Sequence, residues 1–237
     1  MDQIVSLTFH RFEGPAAQAW AFAMMGLARR PLARIPGIGF WKLCGSGSGV
    51  GFLPRPNTSV YAILATWPGD AEARAAIRGA RLFRRYRRAA REQWTLLLRP
   101  TSARGAWSGR APFAPQPARG AGPLAVLTRG SIRPRIMRRF WGRVPGIEER
   151  IGANGDVLFK IGIGEVPWLH QVTFSIWPDA ASMARFARSG LHAEAIAAVR
   201  AEGWFSEELY ARFEVVGEIG AWGGGSPLAA SHEMEAA

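Results

Sequence analysis

Pro36-Gly37-Ile38, leading into Phe40-Trp41-Lys42-Leu43, returns as Pro145-Gly146-Ile147 leading into Leu158-Phe159-Lys160-Ile161. Behind each copy runs a β-rich segment that closes on Trp-Pro, Val60 to Pro68 in the first and His170 to Pro178 in the second. Each unit ends on Gly-Ala-Trp, Gly105-Ala106-Trp107 and Gly220-Ala221-Trp222. Anchors repeated in one order, about half a chain apart, indicate an internal duplication rather than a short-period solenoid. Differences between the copies then mark where specialised chemistry has been added.

Working outward from these anchors gives the elements. Val5, Leu7 and Phe9 alternate with Ser6, Thr8 and His10, the period of a strand with one buried face. Residues 15–33 suit a helix, 42–44 and 61–67 suit strands bridged by the glycine-rich stretch 45–51, and 70–98 reads as mostly helical. The second copy offers a strand near 125–128, a helix over 134–142, strands at 158–162 and 171–177, and a helix from Ala180. This order predicts a ferredoxin-like plait, β-α-β-β-α-β, in each copy. The fold class is therefore α+β: a duplicated ferredoxin-like plait whose two sheets form a pseudo-symmetric α+β barrel. The expected boundaries are 1–110 for the first half, 111–123 for a Pro/Ala/Gly-rich linker, 124–222 for the second half and 223–237 for a flexible tail.

Composition bounds the function. With 237 residues, 48% of them hydrophobic, the chain can bury a substantial core. A lone cysteine, Cys44, excludes an intramolecular disulfide framework and suits a reducing compartment. No stretch has the pattern of a signal peptide, and the longest uncharged segment, 14–28, is too short to span a bilayer. A cytoplasmic protein, free or held at a membrane surface, is expected. Lys+Arg number 30 against 18 Asp+Glu, a formal charge of +12, and all but Lys42 and Lys160 are arginine. Such a surface suits nucleic acid, an anionic membrane or an acidic protein. Zinc-finger spacing and RNA-binding aromatic signatures are absent from the sequence, so nucleic acid is not expected. The arginines from Arg78 to Arg91 fit a helix face that is either simply solvated or used for docking.

Candidate chemistry lies in the asymmetries. His170 and His192 belong to the second copy. His170 is in phase with Val172, Phe174 and Ile176, a face that in a plait lies beneath the helices. His192 follows Ser189, a candidate N-cap, and shares a helix face with Ile196 and Val199. A helix start disfavours the imidazolium, and a neutral imidazole with a free nitrogen is what haem iron requires. The plainer reading of each is an ordinary satisfied core or rim histidine. Cys44 could ligate haem as a thiolate, though a small buried hydrophobe explains it as well. The run Gly45-Ser46-Gly47-Ser48-Gly49 precedes a Pro-rich stretch rather than a helix, so it reads as a hairpin and not a phosphate loop. Ala19, Trp20, Phe22, Met24, Met25 and Leu27 leave the first helix hardly any polar face, whereas its counterpart, 135–143, is crowded with arginine. Such a helix needs cover from core, lipid or a greasy ligand.

Several long runs carry a resemblance. They are 20–34 (WAFAMMGLARRPLAR) with 36–37 and 39–47 (GFWKLCGSG), 104–113 (RGAWSGRAPF), 158–174 (LFKIGIGEVPWLHQVTF) and 201–210 (AEGWFSEELY). Together they resemble the spheroidene monooxygenase family, carotenoid ketolases of purple photosynthetic bacteria. The resemblance implies oxidation at C-2 of spheroidene and related acyclic carotenoids to hydroxy and keto products. It implies dioxygen and reduced ferredoxin as co-substrates, haem as the iron cofactor, and no catalytic residue that can be transferred by name. By fold analogy His192 is favoured over His170 as the metal ligand, with Trp20, Phe22, Met24 and Met25 as the expected substrate surface. A haem-binding barrel with a peroxidase-like or sensing role, and a basic surface-binding module without chemistry, are the competing classes.

Overall fold

Strand β1 (Ile4–Arg11) shows how the chain is organised, because both of its faces are buried. Val5, Leu7 and Phe9 enter one hydrophobic cluster, while Ile4 enters another. The computed structural model describes residues 2–48, 53–120, 122–142, 157–187 and 202–229. The first half continues through α1 (Pro15–Leu27), α2 (Arg29–Ala33), β2 (Trp41–Ser48), β3 (Leu53–Trp67), α3 (Asp70–Gly79), α4 (Arg81–Ala89) and β4 (Glu92–Gly105). The second half contains β5 (Leu124–Ile132), a 3-10 turn at Pro134–Ile136, helix α5 described over 137–142, β6 (Phe159–Gly164), β7 (His170–Trp177), α6 (Ala180–Ala187) and β8 (Phe205–Gly220).

The eight strands close into one antiparallel barrel in the order β1-β3-β2-β6-β7-β5-β8-β4. Within it each half keeps the plait order, β4-β1-β3-β2 and β8-β5-β7-β6. The expected duplicated α+β barrel is therefore the architecture observed. The two seams between halves differ greatly. β4 and β8 pair over a long stretch from Trp94↔Gly220 to Gly105↔Leu209, with two register shifts, whereas β2 and β6 share only Gly45↔Gly164 and Ser46↔Ile163.

The barrel lumen is solid. Side chains from all eight strands fill it, with Phe9 at the centre, 5.9 Å from Trp94, 5.4 Å from Phe159 and 6.0 Å from Phe174. Outside the first half, α1 to α4 cover a second core containing Met24, Tyr61, Ile63, Trp67, Phe83 and Tyr86. Because a closed barrel has an apolar inside and a helix-covered outside, both strand faces are buried and simple alternation misleads. Ser6, Thr8 and His10 were expected on an open face, yet all are buried under the helices. Ser6 and Thr8 are accommodated by Trp67 Nε1 donating to Ser6 Oγ at 2.8 Å and by a Thr8–Thr95 hydroxyl pair at 3.0 Å, whereas neither ring nitrogen of His10 is bonded. Conversely, the apolar face of β7 was expected beneath helices and instead lines the lumen.

One further expectation changes. Residues 92–98 are strand, not helix: β4 is paired along its length with β1 and β8. The described residues of the segment 111–123 carry no helix or strand, but Phe113 enters the lumen core 5.0 Å from Phe213, and Gln116 donates to Pro100 O and Gln3 O. Beyond β8, in the segment expected to be a flexible tail, Leu228 is buried in the same core.

Candidate functional site

The Gly-Ala-Trp motifs explain the ends of the barrel. Gly105 and Gly220 have φ of 99° and 91°, and a Cβ on either would lie 2.1 Å from a carbonyl oxygen of the paired strand. Only glycine fits there, and the sharp exit folds each following tryptophan over a barrel end. Trp107 is buried, and Arg129 of β5 stands 5.7 Å over its ring while pairing with Glu207 of β8. At the other end Arg11 of β1 stands 4.6 Å over Trp222 while pairing with Glu92 of β4 at 2.8 Å. The glutamates complete the pattern: Glu207 accepts from the N–H groups of Ser108 and Gly109, and Glu92 accepts from Gly224 N–H. Each half thus caps its lumen with the other half's tryptophan.

The Trp222 end adds the Glu218 carboxylate, which accepts from Trp94 Nε1 at 2.6 Å, whereas the Trp107 end adds a lysine, a glutamate and a histidine. Lys42 Nζ donates to Glu165 Oε1 and to Ser108 Oγ, both at 2.6 Å, and Trp107 Nε1 donates to Glu165 Oε2 at 2.5 Å. His170 Nδ1 lies 3.8 Å from Glu165 Oε2, is buried, and makes no hydrogen bond. Burial lowers the His170 pKa; Glu165 pulls it up, while Arg129 and Lys42 push it down. The imidazole is therefore neutral near pH 7. For Glu207, burial opposes ionisation, but the Gly109 and Ser108 amides and Arg129 outweigh it and hold the carboxyl below its ordinary range. Cys44 sits in the lumen beside this cluster, and burial, reinforced by Glu165, raises its thiol pKa so that it stays protonated. That argues against a Cys44 thiolate ligand and for a small buried hydrophobe.

Glu165 and His170 also wall a cavity of about 270 Å³ at the narrow β2–β6 seam. Its other walls come from Gly45 to Gly47, from Arg55 to Thr58 and Tyr61 of β3, from the β6–β7 hairpin, from Trp141 of α5, and from Phe22 and Met25 of α1. The structure therefore divides the expected substrate surface. Phe22 and Met25 meet His170 at one cavity, whereas Met24 is buried in the helix-covered core and Trp20 packs on Tyr86 at 5.1 Å and Phe12 at 5.8 Å. His192 lies outside the described residues. Of the grouped residues, Lys42, Glu165, Trp107, Arg129 and Glu207 were not singled out from sequence as site residues. The available signal was thin: Lys42 is one of only two lysines, and Glu165 is a lone acid in an otherwise apolar hairpin.

The arginine cluster also resolves into roles. Arg81, Arg84, Arg85 and Arg88 line, with Pro31 and Leu82, an open groove of about 580 Å³ beside α2. Arg87 is structural, donating to Ile77 O and Arg78 O at the end of α3.

No family model matches the chain. It is 48% identical over 229 residues to the spheroidene monooxygenase of Cereibacter sphaeroides, covering 95% of this chain and 71% of that one. The Rhodobacter capsulatus protein of the same name is 47% identical over 230 residues, covering 95% of both chains. That of Rubrivivax gelatinosus is 37% identical over 210 residues, covering 89% of this chain and 81% of that protein. Among solved structures, an aldoxime dehydratase matches with a TM-score of 0.64 over 95% of this chain and 87% of that one, at 12% identity. A second, in complex with butyraldoxime, matches at 0.61 over 90% and 80%, also at 12% identity. These structural likenesses speak to the fold alone. The identities, sustained along nearly the whole chain, establish that it belongs to the spheroidene monooxygenase family.

Proposed function

We propose that the protein is a carotenoid monooxygenase that oxidises C-2 of spheroidene and related acyclic carotenoids to the hydroxy and keto products. Dioxygen and reduced ferredoxin are the co-substrates, and haem is the cofactor. The observation that carries this reading is the apolar cavity walled by Phe22, Met25, Trp141, Val166 and Trp168 with a neutral histidine, His170, at its side. At about 270 Å³ it is close to the lower end of ligand-pocket sizes, roughly 300 Å³. It suits the terminal segment of a polyene rather than the whole chain, as oxidation near a chain end demands.

The donor chemistry of His170 fits haem, although the cavity of about 270 Å³ takes the polyene end and has no room for the macrocycle as well. With Nδ1 buried on the Glu165 side, the accessible part of His170 is the ring edge away from it. Metal-bound histidines usually direct their other ring nitrogen at such a carboxylate, which fixes the tautomer and raises ligand basicity. When bound, haem supplies the activation of dioxygen that no side chain here can provide. The chain does the rest: apolar walls orient the polyene end and exclude water, and the Lys42–Trp107 clasp holds Glu165 in place behind the histidine. The iron is assigned to a second-copy histidine, His192 or His170. After reconstitution with haem, His192→Ala is expected to abolish or alter the Soret band, with His10→Ala as an unaffected control. If His192→Ala keeps the wild-type spectrum and His170→Ala loses it, His170 is the ligand. If both retain it, histidine ligation from the second copy is wrong.

Electron delivery is assigned to the α4 groove. Its four arginines offer an acidic ferredoxin a concentrated positive field, which acts mainly on association rate.

A further inference from the structure

Helix α1 contains no charged residue, and its solvent-facing stripe is apolar: Ala19, Phe22, Ala23, Gly26 and Leu27 are all exposed. Phe22 and Leu27 are 71% and 70% exposed. At the β6–β7 hairpin tip, Val166 and Trp168 are also exposed, by 40% and 50%. These four are the exposed large hydrophobic side chains among the described residues. Three of them, Phe22, Val166 and Trp168, rim the same cavity although they come from opposite halves of the barrel. Trp168 holds a left-handed backbone with φ of 64°, uncommon for a bulky side chain, and its carbonyl accepts from Trp141 Nε1 at 3.1 Å. The tip is thus held outward by α5 instead of folding onto the core.

Basic groups surround this rim. Arg29 and Arg30 follow Leu27 after the buried Ala28, Arg55 lines the cavity, and Arg138 belongs to α5, all four exposed. A convergent apolar patch ringed by arginine matches the interface of an anionic lipid leaflet, with hydrocarbon inside and phosphate headgroups at the edge. Among the described residues no helix is long and apolar enough to cross a membrane.

We propose that the β6–β7 hairpin tip (Val166, Trp168) and the outer stripe of α1 (Phe22, Leu27) together form a docking surface for an anionic lipid leaflet, so that the cavity opens directly onto the bilayer. The inference rests on the carotenoid reading only for the identity of the cargo. A lipid-dissolved molecule then enters between Phe22 and Trp168 without crossing water, and the arginines fix the depth of insertion.

The test is co-sedimentation of the full protein with vesicles of phosphatidylglycerol and phosphatidylcholine, without carotenoid. Wild type should bind these and bind pure phosphatidylcholine weakly. Val166→Ser with Trp168→Ser, and separately Leu27→Ser with Phe22→Ser, should each weaken partition about tenfold or more, circular dichroism being unchanged. The single variant Leu27→Ser, away from the cavity wall, should lower conversion of vesicle-borne carotenoid while retaining conversion in detergent micelles. Unchanged vesicle binding in both folded double variants overturns the proposal. So does self-association that the same substitutions abolish in a protein that ignores vesicles, which would make the patch a contact between copies. Should one double variant unfold, the other, on a separate element, decides. Vesicle binding by wild type that fails to convert carotenoid even in micelles sinks the catalytic reading and leaves the docking surface standing.

Discussion

His10 is fully buried between β1 and the first-half helices, its ring 4.9 Å from Tyr86, and neither ring nitrogen makes a hydrogen bond. Burial lowers its pKa to about 3, Gln93 opposing and Arg87 assisting. The unfolded chain therefore takes up a proton near pH 6.5 that the folded protein refuses until about pH 3. Stability from this residue is complete above the unfolded pKa and falls as the pH drops toward the folded one. Between pH 7 and pH 5 the wild type should lose about 2 kcal/mol more than His10→Leu, a difference readable from paired urea titrations. Equal losses would mean that His10 is protonated in the folded state. At this scale the sequence was only partly legible. Phe22, Met25 and His170 were singled out and do meet at one cavity, but nothing local announced that Lys42, Trp107 and Glu165 would join across the two halves. Their contacts close over separations of 58 to 123 residues, which no spacing rule can see.

The elements fall into those whose period is decided by one buried face and those buried on both. α4 belongs to the first kind: Leu82, Phe83 and Tyr86 point inward, and Arg81, Arg84, Arg85 and Arg88 point out to the groove. It was readable as an arginine-rich helix from composition alone. β4 belongs to the second kind. Trp94, Leu96 and Leu98 fill the lumen while Thr95 and Leu97 are buried outside it, so Trp94-Thr95-Leu96-Leu97-Leu98 shows no alternation and passes for helix. The α4 groove carries its own prediction. Arg84→Glu with Arg88→Glu should slow association with an acidic ferredoxin by roughly tenfold at low salt, and less as ionic strength shortens the screening length to about 8 Å. Stopped-flow reduction at limiting donor measures it, with haem content as the control. A rate insensitive to both salt and charge reversal would move the docking site elsewhere.

Across the whole molecule, duplication supplies the scaffold and asymmetry supplies the site. The repeated Gly-Ala-Trp, Arg and Glu residues build equivalent caps at the two ends of the lumen, and the recurrence of those anchors made the barrel legible in the sequence. What distinguishes the ends is Glu165 and His170 on the second-copy hairpin, set beside the narrow β2–β6 seam where the cavity forms. With the lumen filled by aromatic side chains, the proposed reading puts a hydrophobic substrate at this seam and not along the barrel axis. The central claim, haem-dependent insertion of oxygen into a carotenoid at this cavity, is tested most directly by product analysis under isotopically labelled dioxygen. Haem-loaded protein with reduced ferredoxin and spheroidene should yield a 2-hydroxy product carrying the label, and haem-free protein should yield none. Labelled product from haem-free protein, or unlabelled product from the loaded one, would contradict the account.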